Sequence, residues 1–244
     1  AVAATVAIVL FPAEKVRGIV ETEASKAMKM PVKIGKLGLT FWGAPAVRVS
    51  DVTVGPARDG EPLLLEMKSF SARVAFMPLV TSRRLEIVSA AADKPRITLI
   101  TRRDGSQNLP AADSTKAKET GGAPMIPIPI TLKSFTLKDG SVTMIDEAKD
   151  GRTVLDGIDQ HLSLHIGGGG KSLASDGKLA VKDISLFSKG KRLPFSGASL
   201  GFTHEVSGDL KAGTIKLDKG LLTLNGLPVG VTGTLEQWKK VTFR

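Results

Sequence analysis

Hydrophobic and polar residues alternate along most of the chain after residue 31. The period is two in stretches such as Leu37-x-Leu39-x-Phe41, Phe70-x-Ala72-x-Val74-x-Phe76 and Leu162-x-Leu164-x-Ile166, with Lys, Arg, Ser, Thr and Asp between the apolar positions. A strand with this pattern has one apolar and one solvated face, which is typical of antiparallel sheets. Parallel units would need repeated helices between the strands, and the pattern predicts none. The chain is therefore predicted to be mainly β.

One segment has a helical period instead. Between Pro12 and Met30 the apolar residues fall on a single stripe, formed by Val16, Ile19, Val20, Ala24, Ala27 and Met28. Pro12 suits a first helical turn, and Pro31 disfavours helix at the residue before it. We therefore expect one amphipathic α-helix over residues 12–30. Such a helix either caps a core or lies close to a membrane.

Two glycine-containing tripeptides predict turns. Lys138-Asp139-Gly140 and Asp218-Lys219-Gly220 each separate two alternating runs, as a three-residue hairpin connection would. The flanking apolar positions match between the two sites, and a shorter form occurs as Val47-x-Val49-x-x-Val52-x-Val54. This weak repeat predicts a sheet that grows by adding similar strand pairs.

Composition divides the chain into segments. Residues 1–11 carry no charge; they are too few to cross a bilayer, which takes about 20 residues. We interpret them as the remnant of an N-terminal membrane anchor, with a buried strand as the alternative. Residues 12–110 form an N-terminal unit, 111–129 a flexible linker rich in proline and glycine, and 130–244 a second β unit that we expect to be truncated at its C-terminus. Whether the two units share one sheet stays open at this point.

Charge and composition narrow the function classes. The 244 residues include no cysteine and no tyrosine, aromatic residues make up 5%, and the net charge is +10. Disulfide scaffolds and thiolate metal sites are thus excluded. The scarcity of aromatic rings argues against single-stranded nucleic acid as a partner. The positive charge fits either solubilising lysines or attraction to anionic lipid head groups.

No catalytic constellation emerges from the chain. His161 and His165 are four residues apart, but they sit in an alternating strand pattern with only Asp156 and Asp159 nearby as further metal ligands. The glycine-rich run from His165 to Lys171 lacks the helix that a phosphate-binding loop requires. We therefore expect no enzymatic activity, no catalytic residue, no metal and no cofactor.

Several segments occur in a distinctive order. They are Phe11-Pro12-Ala-Glu-Lys-Val16-Arg-Gly-Ile19, Val32-Lys-Ile34-Gly35-Lys-Leu37-Gly-Leu39, Ala46-Val-Arg-Val49-Ser-Asp51-Val52-Thr-Val54-Gly55, Lys94-Pro95-Arg96-Ile97-Thr-Leu99 and Val206-Ser207-Gly208-Asp209-Leu210. In this order they resemble the N-terminal region of the AsmA family of bacterial envelope proteins, and the resemblance covers nearly the whole chain.

The resemblance implies a periplasmic protein anchored in the inner membrane and related to the chorein-type bridge proteins of eukaryotes. The implied fold is a curved, mostly antiparallel β-sheet that forms an open, taco-like groove with one N-terminal helix. The implied function is the movement of phospholipid between inner and outer membrane, with acyl chains, the inner membrane and envelope proteins as partners. The alternative is a structural or tethering module whose apolar face is filled by its own side chains.

The lipid-transport interpretation assigns roles to particular residues. The candidates for lining the groove are Ile34, Val49, Phe70, Val74, Phe76, Ile97, Leu99, Phe135, Leu137, Leu164, Leu200, Phe202, Ile215 and Leu217. The candidates for a position close to the membrane are Phe11, Val16, Ile19 and Val20.

Overall fold

A computed structural model describes residues 13–40, 45–109, 129–168, 172–194 and 196–236. They form two helices, α1 (Ala13–Met28) and α2 (Phe76–Ser82), and eleven strands. The strands are β1 (Val32–Thr40), β2 (Ala46–Val54), β3 (Leu65–Ala75), β4 (Leu85–Thr101), β5 (Ile130–Asp146), β6 (Gly151–Ile166), β7 (Leu173–Ser188), β8 (Lys191–Arg192), β9 (Ala198–Asp209), β10 (Thr214–Leu224) and β11 (Leu227–Leu235).

All eleven strands belong to one open, uncurled sheet. Its order is β1-β2-β3-β4-β5-β6-β7-β9-β10-β11, with the short β8 paired to β7. The predicted fold class is confirmed: the chain is mainly β and mostly antiparallel, with an N-terminal helix. Because the sheet is uncurled, its apolar side is a broad face rather than the deep trough that the resemblance implies.

One pair of strands is parallel. β4 pairs with β5 in the same direction over thirteen Cα partners, from Leu85↔Ile130 to Thr101↔Asp146. A parallel pair needs a connection of about a dozen residues or more, and the chain between Thr101 and Ile130 is long enough to return to the end where β4 begins. The predicted linker, residues 111–129, lies outside the described residues except for Pro129. One sheet therefore runs through both predicted units.

The two predicted turns are wrong, since both tripeptides lie inside continuous strands. Lys138-Asp139-Gly140 is part of β5 and Asp218-Lys219-Gly220 is part of β10, and the pairing register shifts at each of them. Asp139 has a left-handed φ of 51°. This φ brings Leu137 and Gly140 to the same face, because a Cβ on Gly140 would lie 2.7 Å from Leu137 Cδ2. The glycine repeat thus marks β-bulges.

Left-handed residues in the first half of the sheet line up. Asp51 in β2, Lys94 in β4 and Asp139 in β5 all have a φ near 50°, and the registers place them at corresponding positions across neighbouring strands. We call this line of left-handed residues the crease. Apolar positions change phase there, for example from Val49 to Val52 in β2. The phase change keeps apolar side chains on one side of the sheet.

Helix α1 covers the edge of β1 with polar side chains. Ser25 Oγ accepts the Val32 N–H at 2.9 Å, Glu21 Oε1 accepts the Ile34 N–H at 2.6 Å, and Arg17 Nη1 donates to Gly35 O at 2.9 Å. Four residues rise about 6 Å along a helix and two residues about 6.6 Å along a strand, so Ser25 and Glu21 keep pace with Val32 and Ile34 along the strand edge.

The apolar stripe of α1 therefore does not pack on the sheet as a whole. The helix exists and ends at Met28, but Ile19 is 63% exposed and Val20 38% exposed. Hydrogen bonding to the strand edge decides which side of the helix faces the sheet. Ala24 and Met28 still pack against a small buried cluster, which consists of Met30, Val32, Val54 and Leu64.

Phe76 does not continue the alternation of β3. That strand ends at Ala75, and Phe76 begins α2, where Thr81 Oγ1 donates to Met77 O and Arg83 closes the helix in a left-handed conformation. The side chain of Phe76 lies outside the described residues. Pro78 occupies the first turn, where its missing N–H costs nothing.

Candidate functional site

The strand registers define one apolar side of the sheet. Cα partners in neighbouring strands direct their side chains to the same side, as do residues two apart within a strand. One row of partners, from β5 to β11, is Leu137, Gln160, Leu179, Phe202, Leu222 and Val229. A second row, from β4 to β7, is Ile97, Val142, Leu155 and Ile184. We call this side the apolar face and the opposite side the polar face.

Most of the apolar face carries no covering layer within the described residues. The buried cluster lies beneath α1, at the β1 end of the sheet. From β5 onwards, Val181 is the only described hydrophobic side chain in the buried class, at 5% exposure. The others are half-buried by their own neighbours in the sheet or exposed, and Leu227 of β11 reaches 72%. The apolar face of β5 to β11 is therefore open.

Most of the groove candidates lie on this open face. Phe135, Leu137, Leu164, Leu200, Phe202, Ile215 and Leu217 are half-buried there, and Val49, Phe70, Val74 and Ile97 lie on the same side towards β1. Two candidates differ in environment. Ile34 is buried at 7% exposure, and Leu99 packs against the cluster under α1. Contact of any of these residues with a lipid stays a prediction.

The membrane candidates fall into two groups. Ile19 and Val20 are exposed on α1 and Val16 is half-buried. Phe11 lies outside the described residues.

Sequence reasoning missed His204, which lies on the apolar face. Its ring stacks on Phe202 with centroids 5.6 Å apart, and Nε2 lies 3.4 Å from Ser175 Oγ. The partner of His204 in β7 is Gly177, where a Cβ would lie 2.9 Å from the His204 ring and 2.7 Å from His161 O. Neighbouring side chains thus close over this glycine. The signal was available, since Leu200, Phe202 and His204 share one alternation phase.

A depression lies on the apolar face at the end of the sheet where β4 finishes. Its volume is about 460 Å³, and Leu99, Met144, Leu186 and Leu193 are among its lining residues. A larger depression, about 730 Å³, lies on the polar face between His161, Lys178, Thr203 and Leu221. The strand registers show that only the first depression is continuous with the apolar face. It is therefore the depression that could extend an apolar binding surface.

Ion pairs cross the strands of the polar face. Lys94 Nζ lies 3.5 Å from Asp139 Oδ2, and Lys182 Nζ lies 3.0 Å from Asp159 Oδ2. The Asp139 N–H donates to Asp159 Oδ1 at 3.0 Å, and together with Lys182 it holds the pKa of Asp159 below its usual value. The same pair raises the pKa of Lys182. The two faces thus differ sharply in character, one charged and one hydrocarbon.

The histidines considered as metal ligands lie apart from any such set. His161 Nδ1 is 3.3 Å from Thr136 Oγ1, and His165 Nδ1 is 2.9 Å from Thr131 Oγ1. No group of three His, Asp or Glu side chains in the described part of the chain is placed to hold a metal ion. None of the described helices combines the length and apolar character that a membrane span requires.

Comparison with known proteins gives one match. A family model described as "AsmA family" matches residues 1–219. Neither the curated proteins nor the solved structures contain a match to this chain.

Proposed function

The chain belongs to the AsmA family, and on that premise we propose that it is a non-enzymatic lipid-binding module that conducts phospholipid between membranes. The family is one of envelope proteins, and a large open β-sheet fits a lipid-transport or envelope role. We propose further that the module works in the periplasm, attached to the inner membrane through its N-terminus. Acyl chains would lie on the apolar face while the charged polar face stays in water.

The observation that carries this proposal is the open apolar face of β5 to β11. Half-buried side chains such as Leu179, Phe202 and Leu222 are covered from the sides but not from above by any described element. Exposed apolar area of this extent is unusual for a soluble protein and marks a surface that another apolar partner covers. An acyl chain is such a partner.

The energetics favour a surface rather than a catalytic device. Bringing a 16-carbon chain into water costs roughly 13 kcal/mol at about 0.8 kcal/mol per methylene. A continuous hydrocarbon face lowers that barrier because the chain never loses apolar contact. Moving a lipid along the sheet breaks and forms no covalent bond, so no catalytic side chain is needed.

The dimensions suit an acyl chain. Strands β4 and β5 have 17 residues each, which corresponds to about 56 Å at about 3.3 Å per residue. One leaflet of a bilayer core is about 15 Å thick, half of about 30 Å. The face is therefore long enough for several chains in line. The crease does not interrupt it, since Leu137 and Gly140 share one side.

A structural or tethering module is the second candidate, and β11 is the observation that favours it. This strand has no charged residue between Leu227 and Leu235, and every one of its residues is exposed. Charges, bulges and prolines normally protect a strand edge, and Pro228 is the one such feature of β11, the last strand among the described residues. A partner protein that covered this part of the sheet would leave less room for lipid.

Extraction of the purified chain separates the two functions. The chain is produced in a bacterial host, purified without detergent, extracted with organic solvent and analysed by mass spectrometry. The lipid-conduit proposal predicts phospholipid in the extract, and much less of it from a variant with Phe202 and Leu222 both changed to Ser. The matched control changes Thr203 to Ala and Leu221 to Ser on the polar face and should retain the lipid. A lipid-free wild-type extract would favour the tethering role.

A further inference from the structure

We propose that one end of the sheet docks on the surface of an anionic bilayer through α2 and the two arginines that follow it. This end, which we call the α2 end, is where β1 and β3 finish and β4 and β5 begin. The inference rests on the proposed function and adds the orientation of the module and the chemistry of its contact with the membrane.

The direction of α1 places the first turn of this helix at the α2 end. Ser25 bonds to Val32, and Arg17, two turns earlier in the helix, bonds to Gly35. Helix α1 therefore runs opposite to β1, and Ala13 points towards Thr40. The register continues from Thr40 through Ala46 to Arg73, which lies just before α2. Both the start of α1 and α2 thus lie at the same end.

The chain that precedes α1 is apolar. Residues 1–11 include no charged or polar side chain other than Thr5. Pro12 alone separates them from Ala13, the first residue of α1. An uncharged stretch of this composition partitions into a bilayer interface more readily than into water. The proposal accordingly places the membrane at the α2 end, where α1 begins.

The surface at α2 combines an exposed apolar side chain with unpaired positive charge. Met77 is 66% exposed. Arg83 and Arg84 are exposed, and none of the ion pairs in the described residues involves either of them. No acidic side chain lies between Ala75 and Leu85. An exposed methionine and two exposed arginines within one short segment suit an interface of acyl chains and anionic head groups.

At the opposite end of the sheet the exposed Leu193 and the basic Lys189 and Lys191 lie among acidic side chains. Arg102 is paired with Glu61 at 2.6 Å, and Lys149 is paired with Asp146 at 3.3 Å. Its connections also carry Asp104 and Asp150. Acidic groups interspersed with basic ones weaken attraction to an anionic surface. The segment from Phe76 to Arg84 differs in carrying two basic residues and no acidic one.

Vesicle flotation tests the proposal. The full chain is mixed with vesicles of phosphatidylcholine, or of equal parts phosphatidylcholine and phosphatidylglycerol, and the bound fraction is measured after flotation. Each basic residue contributes about fivefold in partitioning to an anionic surface, so R83A/R84A should reduce binding to the anionic vesicles about 30-fold. The matched control, R103A/K191A, removes two exposed basic residues at the opposite end and should bind like wild type. M77D should weaken binding to both kinds of vesicle.

Several results would overturn the proposal. Equal losses from the two arginine pairs would mean that net charge alone governs binding, and unchanged binding of R83A/R84A would remove the α2 end as the contact. Circular dichroism confirms that each variant is folded. Binding of a fluorescent 16-carbon fatty acid in vesicle-free buffer separates this inference from the proposed function. If R83A/R84A still binds the fatty acid but no longer floats with the vesicles, the docking site is supported. If the wild-type chain binds no fatty acid, the lipid function is refuted, and the docking site is judged by flotation alone.

Discussion

Leu221 and Leu222 provide an internal comparison between the two faces of the sheet. They are adjacent in β10 and chemically identical, but Leu222 is half-buried beside Phe202 and Val229 on the apolar face, whereas Leu221 is 46% exposed on the polar face. Full burial of a leucine side chain is worth about 1.5–3 kcal/mol. Since Leu222 is partly buried by the sheet already, an acyl chain adds about 1 kcal/mol. Changing Leu222 to Ala should therefore weaken acyl-chain binding about fivefold.

Titration with a fluorescent 16-carbon fatty acid measures this effect. Leu221→Ala should leave the dissociation constant unchanged, and simultaneous replacement of Leu179, Phe202 and Leu222 by Ala should raise it about a hundredfold if the contributions add. Urea denaturation of each variant shows whether the fold is retained. Equal effects of Leu221→Ala and Leu222→Ala would refute the reasoning, because binding would then not distinguish the two faces.

Three further predictions concern the scaffold. Glu21→Ala leaves a strand-edge N–H without its acceptor and should lower the free energy of unfolding by about 1–2 kcal/mol, whereas Glu21→Gln should restore most of it in the same urea titration. Asn108, 1% exposed, accepts a backbone N–H and donates to a backbone carbonyl, so Asn108→Ala should cost about 3 kcal/mol and the neighbouring Gln107→Ala close to nothing in thermal denaturation. The pKa of Asp159 is lower in the folded than in the unfolded state, so the ionised carboxylate stabilises the fold above the unfolded pKa of about 4, and this stabilisation is lost as pH falls through the lower folded value. The Asp159→Asn variant should therefore lose less stability on acidification than wild type. An equal loss in both proteins would contradict the ion-pair account.

Alternation of apolar and polar residues was sufficient to predict the β character of the chain and its apolar face. It works here because one face of the sheet stays apolar along its whole length, so period two is visible in almost every strand. Residues such as Phe135, Leu137, Leu200 and Phe202 were predicted as a set for this reason, and the registers place them on one side.

The turns were mispredicted because a bulge and a hairpin share the same local chemistry. Both require a residue that tolerates a left-handed φ, and Asp-Gly at positions 139–140 satisfies either. Only the pairing partner distinguishes them: β5 continues through Asp139 because β4 and β6 run alongside it on both sides. That information is long-range and is not contained in a window of ten residues.

The orientation of α1 stayed open in the sequence, because its apolar stripe suits either a core or a membrane. In the structure Arg17, Glu21 and Ser25 bond to the open edge of β1, and Ile19 is exposed. A strand edge with unpaired N–H groups is costly, and hydrogen bonds to it outweigh the burial of one isoleucine. Sequence periodicity does not show which strand lies at an edge. The parallel pairing of β4 and β5 was invisible for the same reason.

The absence of cysteine from the chain allows a direct map of lipid contact. Single cysteines at positions 200, 202 and 222 on the apolar face, and at 203 and 221 on the polar face, are labelled with a spin probe, and accessibility to molecular oxygen is compared with and without phospholipid bearing saturated acyl chains. The account predicts that phospholipid changes the probes at 200, 202 and 222 together and leaves those at 203 and 221 as they were. Equal changes on both faces, or a set of apolar-face probes that no lipid perturbs, would contradict the claim that hydrocarbon chains occupy this side of the sheet.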